Sequence, residues 1–288
     1  MVLMEGLVTL LEANRPSVVG LDGNTYLCYL KGRIKRDVGR ILVGDWVQFE
    51  PTDSGEARID AVLARQNQLL RPPVANVTGL FVMFSVAHPA GSLEMLDKRL
   101  VVAYLLGMQA EIIISKVDLL DNRNSVQELM RAYGQAGYRV WTVAGPSREG
   151  LAELLAPSRT GIWVLTGESG VGKSTLLKAI LPEEALETQE LSRGGRGQQT
   201  TRWVRLYRLG DAWLADSPGY TALEAVASRA EEIRDAFEEF AAYRCRFQDC
   251  FHGQEPGCEV GGAVQRGEIA AWRYQHYRKL AAEWVKAY

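Results

Sequence analysis

The sequence predicts an α/β protein in three parts: a small β-barrel, a nucleotide-binding sheet with helices, and a helical module that holds a metal. Three observations predict it. Residues 1–66 carry five short apolar runs separated by turn residues, the pattern of a small barrel. Gly167-Glu168-Ser169-Gly170-Val171-Gly172-Lys173-Ser174 fits G-x-x-x-x-G-K-[ST], with the apolar run Ile162-Trp163-Val164-Leu165 ahead of it and helical spacing from Thr175 onward. Strand, turn and helix are the context that pattern requires. Cys245, Cys250, His252 and Cys258 fall close together, a donor set suited to one tetrahedral Zn²⁺ per chain.

The barrel strands read as Gly6-Leu7-Val8-Thr9-Leu10, Ser17-Val18-Val19, Tyr26-Leu27-Cys28-Tyr29-Leu30, Asp45-Trp46-Val47-Gln48-Phe49 and Arg58-Ile59-Asp60-Ala61-Val62. Asp22-Gly23-Asn24 and Pro51-Thr52-Asp53-Ser54-Gly55 supply turns between them. Five short strands suggest an OB-like β-barrel. Lys31, Arg33, Lys35, Arg36 and Arg40 gather positive charge on one loop or edge. They read either as an edge protected from aggregation or as the phosphate-backbone contact that OB barrels make with RNA. Cys28, isolated in the barrel, reads as a buried small hydrophobe.

A boundary follows at Gln66, and the pair Pro72-Pro73 predicts an extended link. Gly79-Leu80-Phe81-Val82-Met83-Phe84-Ser85-Val86 is a near-continuous apolar run, as in a strand buried on both faces of a parallel sheet. Residues 93–106 have helical spacing, and Glu111-Ile112-Ile113-Ile114-Ser115 is a second buried strand. The unit repeats through residues 125–134 and 138–143, which predicts an α/β sheet. The expected domains are residues 1–66, 67–222 and 223–288.

Chemistry concentrates in the second of these. The glycines of the 167–174 loop let backbone N–H groups of Glu168, Ser169, Gly170, Val171 and Gly172 wrap phosphate oxygens at a helix N-terminus. Lys173 would reach the β- and γ-phosphates, the Ser174 hydroxyl would ligate Mg²⁺, and Thr175 completes the phosphate-binding set. At the end of the second strand stands Ser115-Lys116-Val117-Asp118. GTPases carry [NT]-K-x-D there, with the Asp carboxylate accepting two hydrogen bonds from guanine and the Lys stem lying against the base. Asp118 thus argues for guanine over adenine. Ser115 replaces the Asn amide that ties this loop to the phosphate loop, and its hydroxyl offers a substitute. Ala144 is expected to turn its backbone N–H toward the base carbonyl.

The order of these motifs is informative. Asp118 precedes Lys173, the reverse of an ordinary GTPase, so the sequence describes a circularly permuted P-loop GTPase domain. Downstream, Gly195-Arg196-Gly197-Gln198-Gln199-Thr200-Thr201 is a polar loop of the kind that closes over Mg²⁺ and the γ-phosphate. Asp216-Ser217-Pro218-Gly219 is D-x-P-G at a strand end, where Asp216 would hold Mg²⁺ through water and the Gly219 N–H would sense the γ-phosphate. Tyr220 stands where most GTPases place a water-orienting Gln. Gln199 is the nearest replacement in sequence, and slow intrinsic hydrolysis accelerated by a partner is the expectation.

The C-terminal part reads as helical over residues 223–243 and 268–288, with the zinc set between them and Gly253, Pro256 and Gly257 supplying tight turns. Arg266, Arg273, Tyr274, His276, Tyr277, Arg278 and Lys279 interleave cations with aromatics; they read as a surface that stacks on RNA bases or as an ordinary amphipathic face. His88 and His276 read as surface or packing residues. A net charge of -2 over 288 residues leaves RNA contact to local patches. No apolar run approaches the roughly 18 residues of a membrane span, and the N-terminus lacks a signal pattern. A cytoplasmic monomer with no membrane contact is expected, and in a reducing compartment the clustered cysteines favour metal over disulfides.

These residues together resemble the RsgA-type small ribosomal subunit biogenesis GTPases over nearly the whole chain. The resemblance lies in the OB-like start, Arg71-Pro72-Pro73-Val74-Ala75-Asn76-Val77, the permuted motifs, Gly195-Arg196-Gly197 with Thr200-Thr201, and the Cys-Cys-His-Cys spacing followed by Gly267-Glu268-Ile269. It implies an OB domain, a permuted GTPase domain and a zinc domain, with GTP, GDP and Mg²⁺ as ligands. It also implies binding to the small ribosomal subunit and its rRNA, and GTP hydrolysis, stimulated by the subunit, in its late maturation. The chain departs from the family at Ser115 for Asn, at Gln199 where a His implicated in hydrolysis is common, and at Ser217 for Thr. Two rivals stand beside this reading: a P-loop ATPase or kinase, which offers no role for Asp118, and a non-enzymatic zinc and RNA-binding module, motivated by Ser115 and Gln199.

Overall fold

The computed structural model describes residues 3–12, 15–30, 40–52, 55–145, 149–155, 158–181, 204–216, 229–253 and 255–285. The chain forms two compact units. The first joins residues 1–80, 155–166 and 173–224, and the second joins 81–154, 167–172 and 225–288.

Five strands open the first unit: β1 (Met4–Glu12), β2 (Arg15–Gly20), β3 (Thr25–Leu30), β4 (Trp46–Pro51) and β5 (Ala57–Val62). Strand β1 pairs with β2 on one side and β4 on the other, β2 with β3, and β4 with β5, all antiparallel; β3 and β5 run parallel. The circuit β1-β2-β3-β5-β4-β1 closes a five-stranded OB-like barrel and leaves it without a free edge. Inward-facing Val8, Val18, Cys28, Val47, Phe49 and Ile59 fill it, which follows from the period of two along each strand. Gly6 sits where β1 is clasped between two neighbours. A Cβ there would lie 2.6 Å from the Val18 side chain and 2.7 Å from the Val19 carbonyl. The Asp22-Gly23-Asn24 turn forms as expected, with the Asp22 carboxylate accepting the Asn24 N–H at 3.1 Å. Of the cationic segment, Lys31, Arg33, Lys35 and Arg36 lie outside the described residues.

The Pro72-Pro73 pair is not an extended link. It lies in the turn between two short antiparallel strands, β6 (Gln68–Leu69) and β7 (Val74–Ala75). The cause is tertiary: the Asn67 side chain accepts the Val77 N–H at 2.8 Å and donates to the Val77 carbonyl at 2.9 Å, closing the base of the hairpin.

Strand β8 (Val77–Ser85) starts in the first unit and continues into the second, followed by α1 (Leu93–Leu105), β9 (Gln109–Ser115), a 3₁₀ turn at Val117–Leu119, α2 (Asn124–Gln135), β10 (Arg139–Val143) and α3 (Leu151–Leu155). In the second unit the sheet order is β10-β9-β8; β9 and β10 are parallel, with Ile113 opposite Trp141. Residues 111–115 of β9 are all buried, as a strand covered on both faces must be. Then come β11 (Gly161–Gly167), α4 (Lys173–Ile180), β12 (Arg205–Leu209) and β13 (Ala212–Asp216). Within the first unit the Ile162 N–H donates to Thr78 Oγ1 at 3.1 Å, and β11 runs parallel to β13, which is antiparallel to β12.

The C-terminal part of the second unit holds α5 (Ala230–Asp235), a 3₁₀ helix at Glu238–Ala242, α6 (Glu259–Gln265) and α7 (Ala271–Val285). The single helix expected over residues 223–243 is, in its described portion, two short pieces. Phe237 and Phe240 stack at 5.4 Å between ring centres and both point into a core with Val101, Ile233, Val260 and Tyr277. Among the described residues no helix is long and apolar enough to cross a membrane.

Candidate nucleotide-binding site and metal centre

Residues 167–172 leave β11 in a tight turn and pass into α4, whose first turn carries Lys173, Ser174 and Thr175. Gly170 has φ +81°, and a Cβ on it would meet the Pro89 ring at 2.7 Å; Gly167 passes so close to the Met83 carbonyl that a Cβ would sit 2.5 Å from it. The loop therefore requires glycine at both places, for backbone angle and for space. Gly170, Ser174 and Thr175 are exposed, while Val171 is buried and anchors the turn.

The base-side loop lies in the same unit as residues 167–172. Ser115, 3% exposed, ends β9 and donates its hydroxyl proton to the Val171 carbonyl at 2.6 Å, with the Phe84 carbonyl at 3.1 Å behind it. The substitute tie expected from the sequence thus exists. Lys116 takes a left-handed conformation, φ +61°, and its ammonium donates to the His88 carbonyl at 3.0 Å. Asp118 sits on the 3₁₀ turn with its side chain exposed, open to a ligand. Ala144 departs from expectation. Its N–H is donated to the Glu149 carbonyl at 3.0 Å and does not face a base carbonyl. Glu149 is itself held by Arg123 at 2.7 Å, a guanidinium that keeps the Glu149 carboxyl below its usual range.

Asp216 ends β13. Gln199, Thr200, Thr201, Ser217, Gly219 and Tyr220 lie outside the described residues.

The metal set comes together. The ligand atoms of Cys245, Cys250, His252 and Cys258 all lie within 4.8 Å of one another, and His252 Nδ1 is 3.5 Å from Cys245 Sγ and 3.8 Å from Cys258 Sγ. A tetrahedron built with Zn–S and Zn–N bonds of ordinary length has edges of about 3.5–3.8 Å. The donors fit zinc. Backbone N–H groups of His252 and Gly261 donate to Cys250 Sγ and Cys258 Sγ, each at 3.4 Å, favouring thiolates. Burial pushes the Cys250 thiol up to about 12 and the His252 imidazole below its usual 6.5. At neutral pH the histidine is already in its ligating form, whereas the thiol needs a cation to displace its proton.

A family model described as RsgA GTPase matches residues 62–226. Small ribosomal subunit biogenesis GTPase RsgA 2 of Oceanobacillus iheyensis is 38% identical over 267 residues, covering 91% of each chain. The chain belongs to the RsgA GTPase family. The RsgA of Geobacillus thermodenitrificans is 39% identical, again covering 91% of each chain. The crystal structure of YjeQ from Thermotoga maritima superposes with a TM-score of 0.83 at 33% identity, covering 99% of each chain. YloQ, described as a circularly permuted GTPase, gives 0.83 at 29%, covering 100% of this chain and 96% of its own. This RsgA GTPase is accordingly a GTP hydrolase on a circularly permuted fold, and its family implies GTP, GDP and Mg²⁺ as ligands.

Sequence reading of this RsgA GTPase missed one group of residues. Asp97, 0% exposed on α1, binds Arg273 Nη1, His276 Nδ1 at 2.6 Å and the Tyr133 hydroxyl at 2.9 Å. Arg273 also pairs with Glu239 and lies 4.7 Å over the Phe237 ring. Of the residues read either as a surface that stacks on RNA bases or as an ordinary amphipathic face, Arg273 and Tyr277 are buried, and His276 has a carboxylate partner. The available signal was Asp97 itself, a carboxylate inside the apolar stripe of Leu96, Leu100 and Val101, where a charge requires partners.

Proposed function

We propose that this chain binds the small ribosomal subunit and hydrolyses GTP during its late maturation, with hydrolysis stimulated by the subunit. The observation that carries the nucleotide reading is the 2.6 Å bond from Ser115 to Val171. It joins the loop that reads the base to the loop that takes the phosphates, so one guanine nucleotide engages both. The names of the relatives, small ribosomal subunit biogenesis GTPases, support the partner.

In this reading Asp118 accepts the guanine donors and Lys116 flanks the base. Backbone N–H groups of Gly167, Glu168, Ser169, Gly170, Val171 and Gly172 cradle the phosphates with Thr175, and Lys173 neutralises charge that grows on the β- and γ-oxygens. A bound Mg²⁺ supplies further neutralisation; Ser174 and Asp216 would hold it. Thr200 and Thr201 close over the γ-phosphate, Gly219 senses it, and Gln199 orients the attacking water. Cys245, Cys250, His252 and Cys258 hold one zinc and shape the C-terminal domain. The domain division is 1–66, 67–222 and 223–288, with the barrel meeting rRNA, and the protein acts as a monomer in the cytoplasm.

GTP turnover measured with and without purified small subunits tests the reading, and an increase of at least about tenfold is expected, since groups supplied in trans act on this scale or larger. Unchanged turnover at saturating subunit would remove the partner.

A further inference from the structure

The phosphate loop and the metal centre are joined by a continuous run of polar contacts through two helices. The Glu168 carboxylate, on the phosphate loop, accepts the Ser92 N–H at 2.6 Å. Ser92 is the N-cap of α1, its Oγ accepting the Met95 N–H. A carboxylate at that place also meets the positive end of the helix dipole. About one and a half turns further on, Asp97 grips Arg273 and His276 of α7, and Lys279 of α7 pairs with Glu94 of α1 at 2.7 Å. From α7 the Tyr274 hydroxyl donates to the backbone carbonyls of His252 and Gly253, and the Tyr277 hydroxyl to that of Phe251. These carbonyls belong to the turn that carries the metal ligands Cys250 and His252.

Both helices are stiff over this span. The 13 residues of α1 make a rod of about 20 Å, and the Asp97 and Arg273 charges are buried, so separating them strands a charge in the interior. The loop end carries a sign. Phosphates bound on the loop would repel the Glu168 carboxylate toward the N-terminus of α1, where the Ser92 N–H already holds it. Nucleotide therefore favours the state in which Glu168 holds Ser92, α1 holds α7, and α7 holds the ligand turn.

We propose that helix α1 couples the phosphate loop to the zinc centre, with Glu168 and Asp97 as positioning residues, so that bound guanine nucleotide slows zinc release and bound zinc tightens nucleotide. The proposal rests on the nucleotide and zinc reading above. Reciprocity follows from linkage.

The test measures the rate of zinc transfer from the full chain to a chromophoric chelator at one pH and salt concentration, free, with GDP and with a non-hydrolysable GTP analogue. With nucleotide, release is expected to slow at least about fivefold, the lower end of ordinary coupling between two sites. In Glu168→Gln and in Asp97→Asn, at nucleotide concentrations that saturate each variant, the ratio should fall toward one while each still carries one zinc. Equal release rates in the wild-type chain with and without nucleotide overturn the coupling without touching the proposed function. A full ratio retained in both variants overturns the route through α1. Purified protein that holds no stoichiometric zinc, or binds no guanine nucleotide, defeats the coupling together with the reading beneath it.

Discussion

The Ser115 hydroxyl and the Val171 carbonyl lie 2.6 Å apart, 56 residues distant in sequence, and this bond holds the loop proposed to read the base to the loop proposed to take the phosphates. A serine donates one proton where an asparagine amide would offer two, and that proton goes to the phosphate loop.

Ser115→Ala removes the proton and leaves the buried Val171 carbonyl without it. An unsatisfied buried group costs about 1–3 kcal/mol, so affinity for GDP should fall by roughly tenfold. Titration of a fluorescent GDP analogue checks this. Unchanged affinity would mean that the two loops keep their relation without the bond.

Lys173→Ala should abolish hydrolysis, because it deletes the cation placed for the β- and γ-phosphates. Asp118→Asn should shift preference from guanine toward xanthine nucleotides, since the amide reverses one donor–acceptor pair. Near wild-type turnover in the first variant, or unchanged GTP and XTP affinities in the second, would remove these residues from the roles given.

Each of Cys245→Ala, Cys250→Ala, His252→Ala and Cys258→Ala should lower zinc content below one per chain, because three ligands leave an open and weaker site. Elemental analysis of protein purified without chelator decides the matter. His252→Ala should also lower the thermal midpoint, since Phe240 packs edge-to-face on the His252 ring at 5.4 Å.

Burial raises the Cys28 thiol from 9.0 to about 12. Between these values the unfolded chain has lost the proton that the folded barrel retains, so stability is fully present below pH 9 and declines as pH rises toward 12. At pH 10.5 the loss is about 2 kcal/mol, at 1.36 kcal/mol per pH unit. Urea midpoints of wild type and Cys28→Ala at pH 8 and 10.5 isolate it, the variant's cavity cost being the same at both. Equal alkaline losses in the two proteins would show that Cys28 does not titrate in this way.

Affinity for the small subunit should be several-fold stronger with a non-hydrolysable GTP analogue than with GDP, because the D-x-P-G motif that ends at Gly219 leads directly into the C-terminal part of the chain. Equal affinities at one salt concentration would remove that link.

What the sequence determined by itself is what short stretches determine. The alternation in Arg58-Ile59-Asp60-Ala61 makes a half-buried strand, the run Glu111 to Ser115 a fully buried one, and the glycines of residues 167–172 a turn whose angles and clearances other residues meet poorly. The spacing from Cys245 to Cys258 brought four ligands within one small loop. Tertiary structure decided the rest. Pro72-Pro73 turns because Asn67 and Val77 close beneath it. The Ala144 N–H is consumed by Glu149. Arg273, buried, and His276, half-buried, look like surface on a helix read alone but bind Asp97 across sequence separations of 176 and 179 residues. A hydrophobic period states which face of an element turns inward, but it carries no information on which charge from elsewhere waits there. The cost of burying a charge is met only by a partner in contact, and contacts at such separations exist only once the chain is folded.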